Sequence, residues 1–354
     1  MTISKFILYA PNIHTGGGLI LLKEFLASWP SEENLIAFLD QRVEVNLVLP
    51  KCLDQVFWVK PTIYSRIKAE FLLWRAGIKD SLLLCFNGLP PVFPSKATVY
   101  VCLQNKHYLG GELSVGFSLR VAIRLTIERW IFRTFRHHIS RYFVQTYSMK
   151  RALNEWWRKW DKYKLPDCII FPFAKMELES VSAGFKKWDF VFPADGVAHK
   201  NHVNLFRAWE ILADEGIFPS LVITLADRDK EVNVQKQLYC NRSGAKIENV
   251  GYLSHESVIE YYHQTKALIF PSLSESFGLP LVEAHGINLP ILAPELDYVR
   301  DICNPCQTFD PSSPISIARA VKRFLGSNMS EIQVHTAREF IAEMLNEESS
   351  SHGR

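Results

Sequence analysis

The chain has 354 residues, 48% hydrophobic and 22% charged, with a formal net charge of +3. That length suits two domains that each bury a core, and that composition excludes a disordered or fibrous chain. So small a net charge gives no reason to expect a nucleic-acid partner.

The seven cysteines are odd in number and scattered, which favours reduced, buried thiols in a cytoplasmic protein over a disulfide framework. Cys303 and Cys306 have redox-like spacing, but without a second pair or a βαβ redox context the spacing reads as coincidence. Met1 to Lys5 run straight into a strand-like segment, so no signal peptide is expected, and no apolar run approaches membrane-spanning length.

In chain order, Phe6 to Ala10 reads as a strand apolar on both faces. The loop Pro11 to Gly18 follows, with Gly16, Gly17 and Gly18 at its end, and then a helix from about Leu19 to Ser28. Glycines between a strand and a helix let backbone approach a phosphate or hydroxyl-bearing ligand, although a plain flexible loop would look the same. Strands are expected over Leu35–Leu39, Val45–Leu49, Ser81–Phe86 and Ala97–Leu103, with a helix over Thr62–Ala76. His107 falls just past the fourth of those strands, on the side where open α/β sheets take ligands.

From Ser118 to Tyr142 the composition turns basic, with six arginines against one acid, Glu128, for a formal +5 (6 − 1). On a helix Arg129, Arg133 and Arg136 share a face, and Arg120 and Arg124 share another. Such a segment suits an anionic membrane surface. A helix packed on the sheet, with its arginines snorkelling outward, fits as well. A strand from Arg141, a Trp-rich helix from Tyr147 and a strand over Cys168–Phe171 complete the first half, and a polar stretch near 172–187 reads as a linker.

The second half begins with a strand over Trp188–Pro193 and a helix announced by His199-Lys200-Asn201-His202. Strands over Leu221–Leu225 and Ile247–Val250 alternate with a polar helix to about Cys240 and a helix over Glu256–Gln264. The run Ala267 to Phe270 is a strand that stops at Pro271, and a Ser-rich turn leads through Gly278 and Pro280 into a helix. Glu275 lies in that turn, and Glu283 is read as lying in the helix's first turn. A Glu there is commonly a partner of the helix dipole, but two carboxylates flanking a strand-to-helix turn can also hold hydroxyl-rich ligands. A strand over Pro290–Ala293, helices over Pro314–Leu325 and about 330–345, and a disordered tail finish the chain. The βαβα order argues two doubly wound parallel sheets.

The stretch Pro271 to Ala284 resembles the Glu-x7-Glu signature of retaining glycosyltransferases of family 4, with seven residues between Glu275 and Glu283 and Phe-Gly-Leu-Pro inside. The block around Lys200, with Ala208 eight positions on, resembles that family's phosphate-binding helix start. It departs from the commonest pattern at Asp195, where an Arg is usual, and at Asn201, where a Gly is usual; Arg228 and Lys230 are candidates for the missing phosphate contact.

The resemblance implies the GT-B architecture: two Rossmann-like domains facing across a cleft, over 1–172 and 188–328, joined by a linker at 173–187. A C-terminal helix and tail at 329–354 could return to the first domain. It further implies a nucleotide-sugar donor, UDP- or GDP-linked, a glycan or lipid-linked glycan acceptor in surface polysaccharide synthesis, and no metal or other cofactor. In that reading Glu283 binds the donor's ribose and Glu275 the sugar hydroxyls. Lys200 faces the diphosphate, backbone of Phe277, Gly278 and Leu279 faces sugar or diphosphate, Gly17 and Gly18 line the opposite wall, and His107 serves the acceptor. The protein would be cytoplasmic or peripheral on the inner membrane face. The alternatives are a nucleotide-sugar epimerase or phosphorylase of the same fold, and a non-catalytic membrane-associated homologue.

Overall fold

The computed structural model describes residues 5–30, 33–77, 79–86, 88–110, 119–160, 165–174 and 186–326. The first half contributes strands β1 (Lys5–Ala10), β2 (Leu35–Asp40), β3 (Leu53–Val59), β4 (Ser81–Cys85), β5 (Thr98–Cys102), β6 (Arg141–Val144) and β7 (Asp167–Ile170). Its helices are α1 (Gly16–Ala27), α2 (Ile63–Ala76), α3 (Leu119–Phe135) and α4 (Tyr147–Trp160). The second half contributes β8 (Trp188–Phe192), β9 (Leu221–Ile223), β10 (Ile247–Asn249), β11 (Thr265–Ile269), β12 (Ile291–Pro294) and β13 (Gln307–Phe309). Its helices are α5 (His202–Asp214), α6 (Lys230–Ser243), α7 (His255–His263), α8 (Leu279–Gly286), α9 (Asp297–Arg300) and α10 (Pro314–Phe324).

The strands form two parallel sheets, one of seven strands in the order β3-β2-β1-β4-β5-β6-β7 and one of six in the order β10-β9-β8-β11-β12-β13. Each sheet is covered on both faces because its strands alternate apolar side chains to either side. In β1, Ile7 and Tyr9 join Ala69 and Leu73 of α2, Phe132 of α3 and Leu153 and Trp157 of α4 on one face. Leu8 and Ala10 join Leu21, Leu22 and Leu26 of α1 on the other. The second sheet has a single contiguous core in which Phe190, Phe192, Trp209, Phe270 and Leu281 are buried. Burial of each such side chain contributes about 1.5–3 kcal/mol, which fixes the strand order from which the loops emerge.

Most expected elements appear within a few residues of their predicted bounds. The strand expected over Val45–Leu49 does not form. Asp40 ends β2 and its side chain accepts from the Arg42 N–H, capping a 3-10 turn over Gln41–Asn46. Val45 and Val48 are left exposed, and the edge strand is β3, which is not among the expected strands. The α1 helix starts at Gly16, earlier than the expected Leu19, so Gly17 and Gly18 are part of its first turn. The expected linker lies mostly outside the described residues, and the helix expected near 330–345 and the tail lie wholly outside them.

The helix expected within 118–142 is α3, but its predicted basic face is engaged with protein. Arg129 donates to the His107 carbonyl at 2.7 Å, Arg133 lies 3.9 Å over the Trp160 ring, and Arg136 donates to the Trp160 carbonyl at 3.2 Å. The side chain of Arg120 lies outside the described residues. All seven cysteines are free thiols, and among the described residues no helix is long and apolar enough to cross a membrane.

Candidate functional site

In each sheet the first strand sits beside one that arrives only after the chain has built outward on the other side. These reversals lie between β1 and β4 and between β8 and β11. Loops diverge at such points and leave a crevice beyond the strands' carboxyl ends. Lys200 leaves from β8 and Glu275 from β11, so residues 75 apart in sequence meet at one reversal, with Lys200 Nζ 2.6 Å from Glu275 Oε1. The pair is largely shielded, with side-chain exposures of 18% and 11%.

The other reversal faces it. A Cβ placed on Gly17 would lie 3.8 Å from Leu279 Cδ2, so the starts of α1 and α8 approach each other across the crevice. Each helix start leaves N–H groups without an intrahelical partner and carries partial positive charge, which suits an anionic ligand. Gly278 holds the turn before α8 in the left-handed region, φ 72°, and Pro280 sits in the first turn, where the missing N–H costs nothing. Ser276 joins the halves: its hydroxyl accepts from the Lys106 N–H at 2.9 Å, and its carbonyl accepts from Thr146 Oγ1 at 3.4 Å.

Imidazoles surround Lys200. The His107 ring, from the turn after β5, stands edge-on to the His199 ring with centroids 5.6 Å apart. Burial and the nearby Arg129 charge lower the His107 pKa. Burial and Lys200 push His199 down to about 4 and His202 to about 3, so both are neutral at pH 7. His199 Nδ1 and both ring nitrogens of His202 are buried without a hydrogen-bond partner among the described residues, and His202 packs between Phe192 and Phe206.

A histidine held neutral in the fold is protonated below about pH 6.5 once unfolded. The unfolded chain therefore binds more protons between that pH and the folded value, and stability falls as the pH drops through this window. For His202 the loss amounts to about 2 kcal/mol between pH 7 and pH 5. Thermal melts should show His202→Leu with a flatter loss of Tm over that range than the wild type. Equal slopes would contradict a buried neutral His202.

Glu283 differs from its expected setting. The first turn of α8 contains no acid, and Glu283 falls in the second turn, so the helix dipole does not explain it. It is 6% exposed, and both carboxylate oxygens are engaged, Oε1 with His255 Nε2 at 2.8 Å and Oε2 by the Tyr262 hydroxyl at 3.1 Å. Burial and the carboxylate raise the Tyr262 pKa, which keeps that hydroxyl a donor. Two of the roughly four acceptor positions on a carboxylate remain for a ligand.

The two departures around Lys200 each have a structural setting. Asn201 has φ 65°, a left-handed conformation that Asn tolerates nearly as Gly does, and its amide donates to the carbonyls of Pro271 and Pro311 at 3.1 and 2.7 Å. Asp195 pairs with Arg228 at 3.0 Å, which brings a guanidinium alongside the position that lacks one. The Arg228 charge is also felt at His14 in the loop after β1, across the crevice.

Sequence reasoning singled out Lys200, Glu275, Glu283, His107 and the glycine turn; the structure brings Lys200, Glu275, His107 and the start of α1 to the crevice and holds Glu283 in the second turn of α8 against α7. It missed His199, Ser276, His255 and Tyr262 as members. His199 adjoins Lys200 and shares its helix-opening block; His255 and Tyr262 carry no local signal in the sequence. A separate apolar cavity of about 560 Å³ lies beside α1, lined by residues such as Phe6, Phe25, Leu84 and Phe143. It shares no residue with the crevice, and its apolar walls offer nothing to a charged ligand.

Two parallel α/β sheets with facing crevices define the GT-B architecture. The fold is that of HepE from Anabaena, solved with UDP and glucose (TM-score 0.66, 13% identity, 91% of this chain and 90% of that one). It is also that of sucrose-phosphate synthase from Thermosynechococcus elongatus (TM-score 0.68, 16% identity, 91% and 90%). Residues 177–340 match the family described as "Glycosyl transferases group 1". A stretch of 128 residues is 36% identical to the serotype-specific mannosyltransferase WbdA of Escherichia coli, covering 36% of this chain and only 16% of that protein. The chain has the GT-B fold, and its residues 177–340 are similar to the group 1 glycosyl transferases.

Proposed function

We propose that the protein is a retaining glycosyltransferase that moves a sugar from a nucleotide-sugar donor to a glycan or lipid-linked glycan in surface polysaccharide synthesis. The observation that supports this most is the shielded Lys200–Glu275 pair at a strand reversal, facing two helix starts. The diphosphate lies against Lys200 and the starts of α1 and α8. As the bond from the sugar's anomeric carbon to the phosphate breaks, negative charge grows on the leaving oxygens, and fixed donors in a water-poor site stabilise it. Glu275 keeps acceptor positions free for the sugar's hydroxyls, Glu283 takes the ribose, and neutral His107 receives a hydrogen bond from the incoming acceptor hydroxyl. The donor is UDP- or GDP-linked; the similarity to a mannosyltransferase and to a protein solved with UDP and glucose supports a hexosyl donor. Arg228, delivered beside Asp195, weighs against a catalytically empty homologue.

A thermal-shift panel of UDP- and GDP-sugars tests the donor claim, since a ligand that binds the folded state at about a hundred times its Kd adds about 2.7 kcal/mol of stability. At least one donor should raise Tm by several degrees, and the glycan product should keep the donor's anomeric configuration by NMR. No shift with any donor, a free nucleotide-sugar epimer as product, or turnover that needs phosphate and no glycan would overturn the reading.

A further inference from the structure

The helix α2 carries more apolar surface than its sheet can cover. Ala69 and Leu73 are buried against the first sheet, yet Ile63, Ile67, Phe71 and Trp74 are 81%, 58%, 48% and 48% exposed. Their spacing places them along one outward stripe, and the Phe71 and Trp74 rings are 5.7 Å apart. Single exposed hydrophobics need no explanation, but a continuous stripe marks an interaction surface.

The stripe continues onto a neighbour. α2 and α3 cover the same face of the sheet, where Leu73 and Phe132 share one core. Arg66 of α2 is near enough to Glu128 of α3 for its charge to act there. On α3, Ile123, Ile127 and Trp130 follow helical spacing and are 53%, 52% and 60% exposed. Phe93, in the loop held to α2 by the bond from Val92 N–H to Glu70, is exposed as well.

The exposed charges on the described parts of the two helices have one sign. Among the described side chains, the exposed charged residues on the two helices are Lys68, Arg75, Arg124 and Arg133, of which Arg133 is already stacked on Trp160. The acids of both helices are turned inward; Glu70 accepts from the Tyr9 hydroxyl and Glu128 is largely buried. Aliphatic and aromatic side chains ringed by cations match a bilayer with anionic headgroups: the apolar groups enter the boundary and the cations meet the phosphates.

We propose that the α2–α3 face docks the protein on an anionic lipid bilayer, through the apolar stripe of α2 and the outward edge of α3. The arginine face of α3 expected to do so is instead bonded within the protein. Docking requires no donor, so its failure would leave the donor site's assignment intact.

The test is co-sedimentation of the full chain with vesicles of phosphatidylcholine alone and of phosphatidylcholine mixed with phosphatidylglycerol. The wild type should sediment with the mixed vesicles, weakly with the neutral ones, and less as salt rises. Ile67→Ser, Phe71→Ser and Trp74→Ser combined should lower partition by about tenfold or more, whereas Ile315→Ser on α10 should not. Should the triple variant misfold by circular dichroism, quenching of wild-type tryptophan fluorescence by brominated phosphatidylglycerol decides: quenching supports docking, and none rejects it. Absence of wild-type sedimentation, or undiminished binding by a folded triple variant, overturns the proposal. So does a wild-type dimer that the triple variant breaks with no vesicle binding by either, since the stripe would then join two copies.

Discussion

Lys200→Ala is expected to lower turnover by about a hundredfold to a thousandfold, the effect of removing one donor that meets developing charge. The lysine stands 2.6 Å from Glu275 in a shielded crevice, so its removal has a second effect: it strands the carboxylate without its cation. Breaking a buried pair from one side costs about 3–5 kcal/mol, an upper bound here because both groups keep some exposure. The two effects separate in the double variant Lys200→Ala with Glu275→Gln, which should recover much of the lost Tm but none of the turnover. Lys200→Arg should hold Glu275 and retain more activity than Lys200→Ala. A Lys200→Ala enzyme with unchanged kcat would remove the lysine from the reaction.

Glu283→Ala should weaken donor affinity by about tenfold to a hundredfold, corresponding to about 1.4–3 kcal/mol for hydrogen bonds to a charged acceptor. It also leaves the buried Tyr262 hydroxyl and His255 without their shared acceptor, so Tm should fall. Tyr262→Phe makes the comparison sharper, because it removes one support and leaves the carboxylate in place. Calorimetry should find its donor affinity reduced less than that of Glu283→Ala. Equal donor affinity in Glu283→Ala and wild type would leave Glu283 as a brace between α7 and α8 and nothing more.

The parts of this molecule that could be read from sequence are those whose signal is local. The Pro271 to Ala284 stretch contains its strand, turn and helix start in one run, and Lys200 sits at the head of its own helix, so both are legible without any long-range contact. Glu283 shows where that stops. Its position was off by a turn, and its two partners come from α7, 28 and 21 residues earlier, brought there by the packing of that helix. The edge of the first sheet failed for another reason: Val45 and Val48 have the composition of a strand, but the Asp40 cap turns the chain away, and the strand forms in the more polar segment beyond. On α2 the sequence is apolar on two faces, and only the fold reveals which face the sheet leaves uncovered.

The bonds at Ser276 couple two motions that could otherwise be separate. The loop from β11 to α8 presents Glu275 to the crevice, and the next residue is fastened to Lys106 and Thr146 of the opposite half. Rotation of one half away from the other must therefore break bonds in the loop that carries Glu275. Opening of the crevice and relaxation of that loop become one event, with its latch a single residue from Glu275.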